Sequence, residues 1–309
     1  MLITIRKMCL YPKLVPNPKY KPNKKNRGRP EQPRDGRLRW ITASCGKCSE
    51  CRRQKANEWK FRLSEELKKG EHVRFMTLTF SEESLSAFHN SNANEVAAKA
   101  VKLFRKRWYK KFRKSLKYWL VTELGHDNTE RLHLHGLFWA EIDIETIEKI
   151  WGYGWVDGGE YVNEKTIQYI VKYVHKIDEK HPEYVSKVFT SPGIGKSYIN
   201  RSEVQRIHDQ RQEFVKTPKG LKVGMPMYLK NKIFTEKERE EMWLERLNKG
   251  IRYINGEKYD TTTKKGLREF MNALQYAQKT SERLGNPANP WQKKKYRTTL
   301  EKIGTFRDE

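Results

Sequence analysis

The apolar positions change their period several times along the chain, and each change predicts an element. Glu130 to Trp139 (ERLHLHGLFW) alternates, as a strand does. Leu132, Leu134 and Phe138 then face a core, His133 and His135 share the opposite face, and Gly136 is expected to leave open space beside them. Val73 to Phe80 (VRFMTLTF) reads as a second strand with Thr77 and Thr79 on one face, and Tyr118 to Leu124 as a third. Steps of three and four predict helices. Arg52 to Lys69 places Ala56, Trp59, Leu63 and Leu67 inward and stops at Gly70. Val96 to Lys114 turns Val101, Phe104, Trp108 and Phe112 inward and Lys102, Arg105, Lys106, Lys110 and Lys114 outward. A connecting helix around Ile142 to Trp151 leads to a strand within Tyr153 to Val162. Glu164 to Ile177 follows as a helix, with Ile167, Ile170, Val171, Val174 and Ile177 as its buried stripe. Thr235 and Glu238 form a capping box for a helix running to Leu247. Gly256 to Lys265 reads as loop, Leu267 to Leu284 as helix, and Gly285 to Pro290 opens a basic tail with Trp291. No internal repeat is visible.

Composition narrows the class. With 309 residues and 36% hydrophobic positions the chain can bury the core of one large domain or two. Lys and Arg number 64 against 38 Asp and Glu, a net charge of +26, which points to a large polyanion as partner. No apolar run of about 18 residues and no lipidation signal is present, so nucleic acid is favoured over membrane. Arg6 and Lys7 interrupt the apolar start, and no small-residue cleavage site follows, so action in the cytoplasm is expected. The first forty residues carry Pro12, Pro16, Pro18, Pro22, Pro30 and Pro33 among many cations and read as an extended basic arm. Its Tyr11, Tyr20 and Trp40 suit phosphates and bases, and a solvated tail is an equal alternative.

Three constellations carry candidate chemistry. Cys45-Gly-Lys-Cys48-Ser-Glu-Cys51, with Cys9 upstream, cannot be spent on local disulfides, and in a reduced compartment it makes a four-thiolate site. Zinc is the first reading, unliganded thiols the second and an iron–sulfur cluster the third. His133 and His135 converge on one point, and a turn of hairpin length, Gly125 to Thr129, brings Glu123 beside them. That gives a His-His-Glu shell suited to Mg²⁺ or Mn²⁺, with a solvated strand end as the alternative for Glu123. Tyr169 and Tyr173 lie one helical turn apart, with Lys172 and Lys176 on the same flank. Two tyrosines at that spacing also commonly border a core. Ser191-Pro-Gly-Ile-Gly-Lys-Ser197 fails as a nucleotide loop because Thr190 stands where a glycine is needed and no apolar strand leads in. A turn near phosphates is the better expectation for it.

Thr77-Leu-Thr-Phe80, Arg131-Leu-His-Leu-His-Gly-Leu137 and Tyr169-Ile-Val-Lys-Tyr-Val-His-Lys176, in this order, resemble the three motifs of HUH-superfamily rolling-circle replication initiators. Cys9, Cys45 to Arg52, Ser191 to Gly195 and Met225-Pro-Met-Tyr228 extend the resemblance, over about residues 1–245, to the replication initiation proteins of gokushovirus-type single-stranded DNA bacteriophages. The resemblance implies an α+β fold: a central antiparallel sheet bearing the His-x-His strand, flanked by helices, with an N-terminal cysteine knuckle and a helical C-terminal region. The corresponding division is 1–51, 52–200 and 201–309. It further implies nicking and rejoining of single-stranded origin DNA through a 5′-phosphotyrosyl intermediate. Tyr169 and Tyr173 would be the nucleophiles, Lys172 and Lys176 would assist, and His133, His135 and Glu123 would hold the metal, with a host helicase and polymerase as partners in the host bacterial cytoplasm. Two rival readings stand beside it: a non-catalytic nucleic-acid-binding protein with a structural zinc site, and an HUH transposase or relaxase.

Overall fold

The structure is a computed structural model, and it describes residues 9–88, 92–125, 130–159, 161–178, 180–181, 184–217 and 220–286. The turn residues 126–129 and the tail with Trp291 lie outside these. In chain order the first elements are β1 (Lys13–Pro16), β2 (Trp40–Ala43), α1 (Ser49–Leu67), β3 (Arg74–Leu78), α2 (Glu82–Ser86), α3 (Ala93–Phe112), β4 (Lys117–Leu124) and β5 (Leu132–Trp139). They continue as α4 (Ile144–Trp151), β6 (Val156–Gly159), α5 (Glu164–His175), β7 (Val188–Thr190), α6 (Glu203–Asp209), β8 (Phe214–Lys216) and β9 (Lys222–Gly224). The last are α7 (Met227–Ile233), α8 (Glu236–Lys249), β10 (Ile251–Ile254), β11 (Glu257–Asp260) and α9 (Lys264–Arg283). The chain divides into two compact units: Lys55–Tyr198, and the residues through Gln54 together with those from Ile199 onward.

The unit 55–198 is built on a five-stranded antiparallel sheet in the order β6-β3-β5-β4-β7. Both faces are covered, because both parities of the strands carry apolar side chains. Met76, Leu78, Leu120, Leu132, Leu134 and Phe138 pack with Val101, Phe104 and Trp108 of α3 and Ile147 and Trp151 of α4. On the opposite face Trp119, Val121 and Leu137 pack with Ala56 and Leu63 of α1 and Ile167, Ile170, Val171 and Val174 of α5. The arrangement is α+β, with helices on both sides of the sheet. Asn92 caps α3, and Arg113 in the left-handed conformation closes it.

Two sequence expectations are corrected in this unit. Gly136 does not open space beside the histidines. By alternation it faces the α3 side, and a Cβ there would lie 1.9 Å from the Trp119 carbonyl oxygen, so the glycine answers to the close approach of β4. The Pro192–Gly195 turn is not presented to phosphates either. Ile194 is fully buried, its carbonyl accepts from Arg62 Nε at 3.0 Å, and the Gly195 amide donates to the buried Glu66 carboxylate at 2.5 Å.

The other unit joins the first and last parts of the chain. β1 pairs with β2, β8 with β9 and β10 with β11, all antiparallel, so the segment 256–265 contains a hairpin strand rather than loop alone, and the C-terminal region mixes hairpins with helices. The basic arm packs: Lys19 Nζ and Tyr20 Oη both bond Glu240 Oε1, at 2.9 and 2.8 Å. The Thr235–Glu238 capping box forms as the sequence predicts, and Gly250 in the left-handed conformation ends α8. Cys9, Leu10, Tyr11, Cys48 and Cys51 share a core with Ile254, Phe270, Leu274 and Ala277. Among the described residues no helix is long and apolar enough to cross a membrane.

Candidate active site and cysteine centre

β5 is the middle strand of the sheet, and its alternation turns His133 and His135 toward α5. The register sets Glu123 of β4 directly opposite His133, and Val121 of β4 and Thr77 of β3 opposite His135. The Glu123 carboxylate leans to the neighbouring histidine: Oε2 lies 2.9 Å from His135 Nε2, while Oε1 lies 2.5 Å from Lys176 Nζ. Thr77 Oγ1 stands 3.1 Å from His135 Nδ1, so both ring nitrogens of His135 are engaged and the ring is held in one orientation. The two imidazoles lie nearly parallel, with centroids 6.3 Å apart. Burial, and then the charge of His135, holds His133 below the ordinary imidazole range, leaving it a neutral ligand at neutral pH. Burial opposes the charge on Glu123, but hydrogen bonds from His135 and Lys176 outweigh it and keep the carboxyl below its usual value.

A capping box between Asn163 and Thr166 starts α5, whose apolar stripe seats it on the sheet. Four residues of helix then bring Tyr169 and Tyr173 together, rings perpendicular with centroids 5.5 Å apart, and Tyr173 Oη donates to Tyr169 Oη at 2.7 Å. Their environments differ. Tyr173 is 6% exposed and lies flat on His135, with centroids 4.6 Å apart at 12°, whereas Tyr169 is 46% exposed and meets Phe75 edge-on. Burial, then the bond to Tyr169, pushes the Tyr173 phenol above its ordinary value. Lys172 Nζ sits 3.9 Å from the Tyr169 ring centroid and 5.0 Å from that of Tyr173. Lys176 caps the helix, with its ammonium at Glu123 and 5.7 Å from the Tyr173 centroid. The seven side chains that the sequence offers for nicking chemistry thus meet on one patch of β4, β5 and α5.

Three neighbours escape a reading of the sequence. Thr77 shares a face with Thr79, but alternation gives it no partner, because it says nothing of which strand lies alongside. Asp157 of β6 pairs in register with Thr77, so this exposed carboxylate is on the histidine face. Trp155, two residues earlier and 61% exposed, accepts a hydrogen bond from the Thr79 amide through its carbonyl. An exposed tryptophan at a strand edge is the available signal.

In the other unit the four cysteines form a group able to hold a metal ion, the group of ligating side chains that converges among the described residues. Their Sγ atoms all lie within 4.8 Å of one another. Cys45 and Cys51 Sγ are 3.9 Å apart, against about 3.8 Å between sulfurs of a tetrahedral zinc site with Zn–S near 2.3 Å. Amides of Tyr11 and Cys45 donate to Cys9 Sγ at 3.3 and 3.2 Å, and that of Cys48 to Cys45 Sγ at 3.3 Å, the outer hydrogen bonds that thiolates accept. All four are free thiols. They fit zinc in number, spacing and donor type. Glu123, His133 and His135 fit a harder divalent ion in donor type, with the Glu123 carboxylate paired to His135 and Lys176.

The class defined at this point is a strongly basic α+β protein whose central sheet carries a two-histidine strand beneath a two-tyrosine helix. Residues 73–178, which hold all of that patch, match the family of the Replication-associated protein ORF2, and through them the chain belongs to that family. It is also similar to the Replication-associated protein ORF2 of Spiroplasma virus 4, with 29% identity over 220 residues covering 62% of this chain and 68% of that protein. No solved structure matches the chain.

Proposed function

We propose that this protein initiates rolling-circle replication by nicking and rejoining single-stranded DNA at a phage origin in the host bacterial cytoplasm. The observation that carries the reading is the 2.7 Å contact between the Tyr169 and Tyr173 hydroxyls, directly over a histidine of the His-x-His strand. Tyr169, the exposed member, attacks the scissile phosphorus. Its oxygen forms the new O–P bond as its proton is lost, and the O3′–P bond breaks, the leaving oxygen taking up a proton to become a 3′-hydroxyl. A phenol of pKa near 10 is a weak nucleophile at neutral pH. The Lys172 ammonium over its ring and the hydrogen bond from Tyr173 both favour its phenolate. His133, His135 and Glu123 would hold Mg²⁺ or Mn²⁺, which when bound draws charge from the scissile phosphate. Lys176 orients Glu123. The phosphotyrosyl bond conserves the energy of the cleaved linkage, so rejoining needs no ATP, and the 3′-hydroxyl primes a host polymerase behind a host helicase. Trp155, exposed on the same face, offers a stacking surface to an incoming base. The cysteine centre holds zinc and braces the N-terminal part of its own unit.

The test is direct. The protein is incubated with end-labelled single-stranded origin DNA and Mn²⁺, and a denaturation-resistant adduct is sought. An adduct mapping to Tyr169 or Tyr173 is expected, and its absence would leave nucleic-acid binding without nicking.

A further inference from the structure

A second charged feature lies across the sheet from the tyrosines. α3 packs on the opposite face, and between Lys99 and Lys114 it and its cap carry nine Lys and Arg and no Asp or Glu. The next acidic residue is Glu123. Its inward residues are those of the core, Val96, Ala97, Ala100, Val101, Phe104 and Trp108. The steps of three and four that bury these turn Lys99, Lys102, Lys106 and Lys110 outward as one exposed row, about 16 Å long at 1.5 Å per residue, with Arg105 beside it. Lys102, Arg105, Lys106, Lys110, Lys111, Arg113 and Lys114 form no ion pair with any carboxylate among the described residues. Elsewhere exposed cations of this chain do find carboxylates, as Arg211 finds Glu241 and Glu245. Cations at i, i+3 and i+4 repel one another along a helix, and the helix dipole favours only those of the last turn. The remainder of the row is a charge density that only a polyanion balances.

We infer that this ridge binds the phosphate backbone of duplex DNA without regard to sequence, and that it is a site separate from the nicking centre. The inference needs only the ridge and does not rest on the nuclease reading. A duplex fits better than a single strand because the row is straight and held rigid by its buried face, matching a stiff rod of phosphates. A single strand is gripped chiefly by stacking, and the ridge offers it one exposed aromatic ring, Tyr109.

The experiment uses the full chain and measures affinity for a random-sequence duplex and for a single-stranded oligonucleotide across a salt series. The triple variant Lys102→Gln, Lys106→Gln, Lys110→Gln is compared with wild type, with thermal melting as the check on folding. The slope of log affinity against log salt for duplex should fall by about 2–3, roughly 0.9 for each phosphate no longer neutralised. Binding of the single strand, and nicking of a short single-stranded origin, should hold. An unchanged duplex slope overturns the inference, as does a slope that falls for single strand instead. Should the triple variant melt early, Lys106→Gln alone must still lower the duplex slope by roughly 0.9. Absence of nicking in the wild type would sink the proposed function and leave this inference standing.

Discussion

The Tyr173 hydroxyl donates to that of Tyr169 across 2.7 Å, and the donor is the buried partner while the acceptor is the exposed one. The two tyrosines are therefore not equivalent, although the sequence presents them as a symmetric pair. Tyr169 is the accessible nucleophile for a first cleavage. Tyr173, flat on His135, can act only after a shift of its side chain or of the DNA. Tyr169→Phe should abolish the first adduct, whereas Tyr173→Phe should keep it with a rate reduced about two- to tenfold, the worth of one hydrogen bond. Both variants should fail to produce circular product in a replication assay. Peptide mapping of the adduct decides the matter, and a wild-type adduct found first on Tyr173 reverses the assignment.

His135 is tied on both nitrogens while His133 bonds neither Glu123 nor Thr77, yet both face the same space. If they hold a divalent ion, His133→Ala and His135→Ala should each lose nicking by at least about a hundredfold while retaining DNA affinity, because the +26 charge lies elsewhere. Added EDTA should reproduce both variants in the wild type. Nicking by either variant at the wild-type rate removes that histidine from the site.

Much of this arrangement is legible in the sequence. Period two places His133 with His135 and period 3.6 places Tyr169 near Tyr173, because both facts are local. A hairpin-length connection suffices to bring Glu123 alongside. What the chain does not reveal is lateral: that β3 lies against β5, so that Thr77 holds His135, and that β6 brings Asp157 onto the same face. Hydrophobic period is silent on strand order. The fifth strand, Val188–Thr190, is too short to show alternation, and β10–β11 hide behind Gly256, whose left-handed backbone is a hairpin signal as well as a loop signal. Gly136 misleads for a related reason. Its neighbour is a backbone carbonyl of the adjacent strand, which no side-chain pattern discloses.

Glu66 makes the fold of the 55–198 unit pH-dependent. Its fully buried carboxylate receives Lys117, Lys69 and the Gly195 amide, which together outweigh the cost of burial and hold it below the usual range. A depressed carboxyl contributes stability that is complete above its unfolded pKa, near 4.5, and is lost as pH falls through the lower folded value. Glu66→Gln keeps an acceptor for Gly195 but strands both ammonium groups. It should cost about 1–3 kcal/mol at pH 7, and the difference in melting temperature from wild type should shrink as pH drops below about 4. A difference independent of pH would show that the charge on Glu66 contributes nothing.

The cysteine centre is joined to the C-terminal helix of its own unit by neighbours in sequence. The Leu10 carbonyl accepts from Gln278 Nε2 at 2.7 Å, Tyr11 Oη donates to Glu282 Oε1 at 2.7 Å, and the Ser49 amide donates to Ser281 Oγ at 3.1 Å. Each of these contacts lies within two residues of a cysteine, so a metal that fixes Cys9, Cys48 and Cys51 also fixes the groups that receive α9. Purified protein should carry about one zinc per chain, since four thiolates at this separation make one tetrahedral site. Removing it with a chelator should raise amide hydrogen exchange not only at residues 9–16 and 45–51 but also along 270–283 of α9, because binding energy at such a site is folding energy. Cys48→Ser should do the same without chelator. Iron with sulfide in place of zinc would exchange the metal but keep the coupling. Full metal content with unaltered exchange in α9 on stripping would show that the helix docks on its apolar contacts, Phe270 and Leu274, with no help from the thiolates.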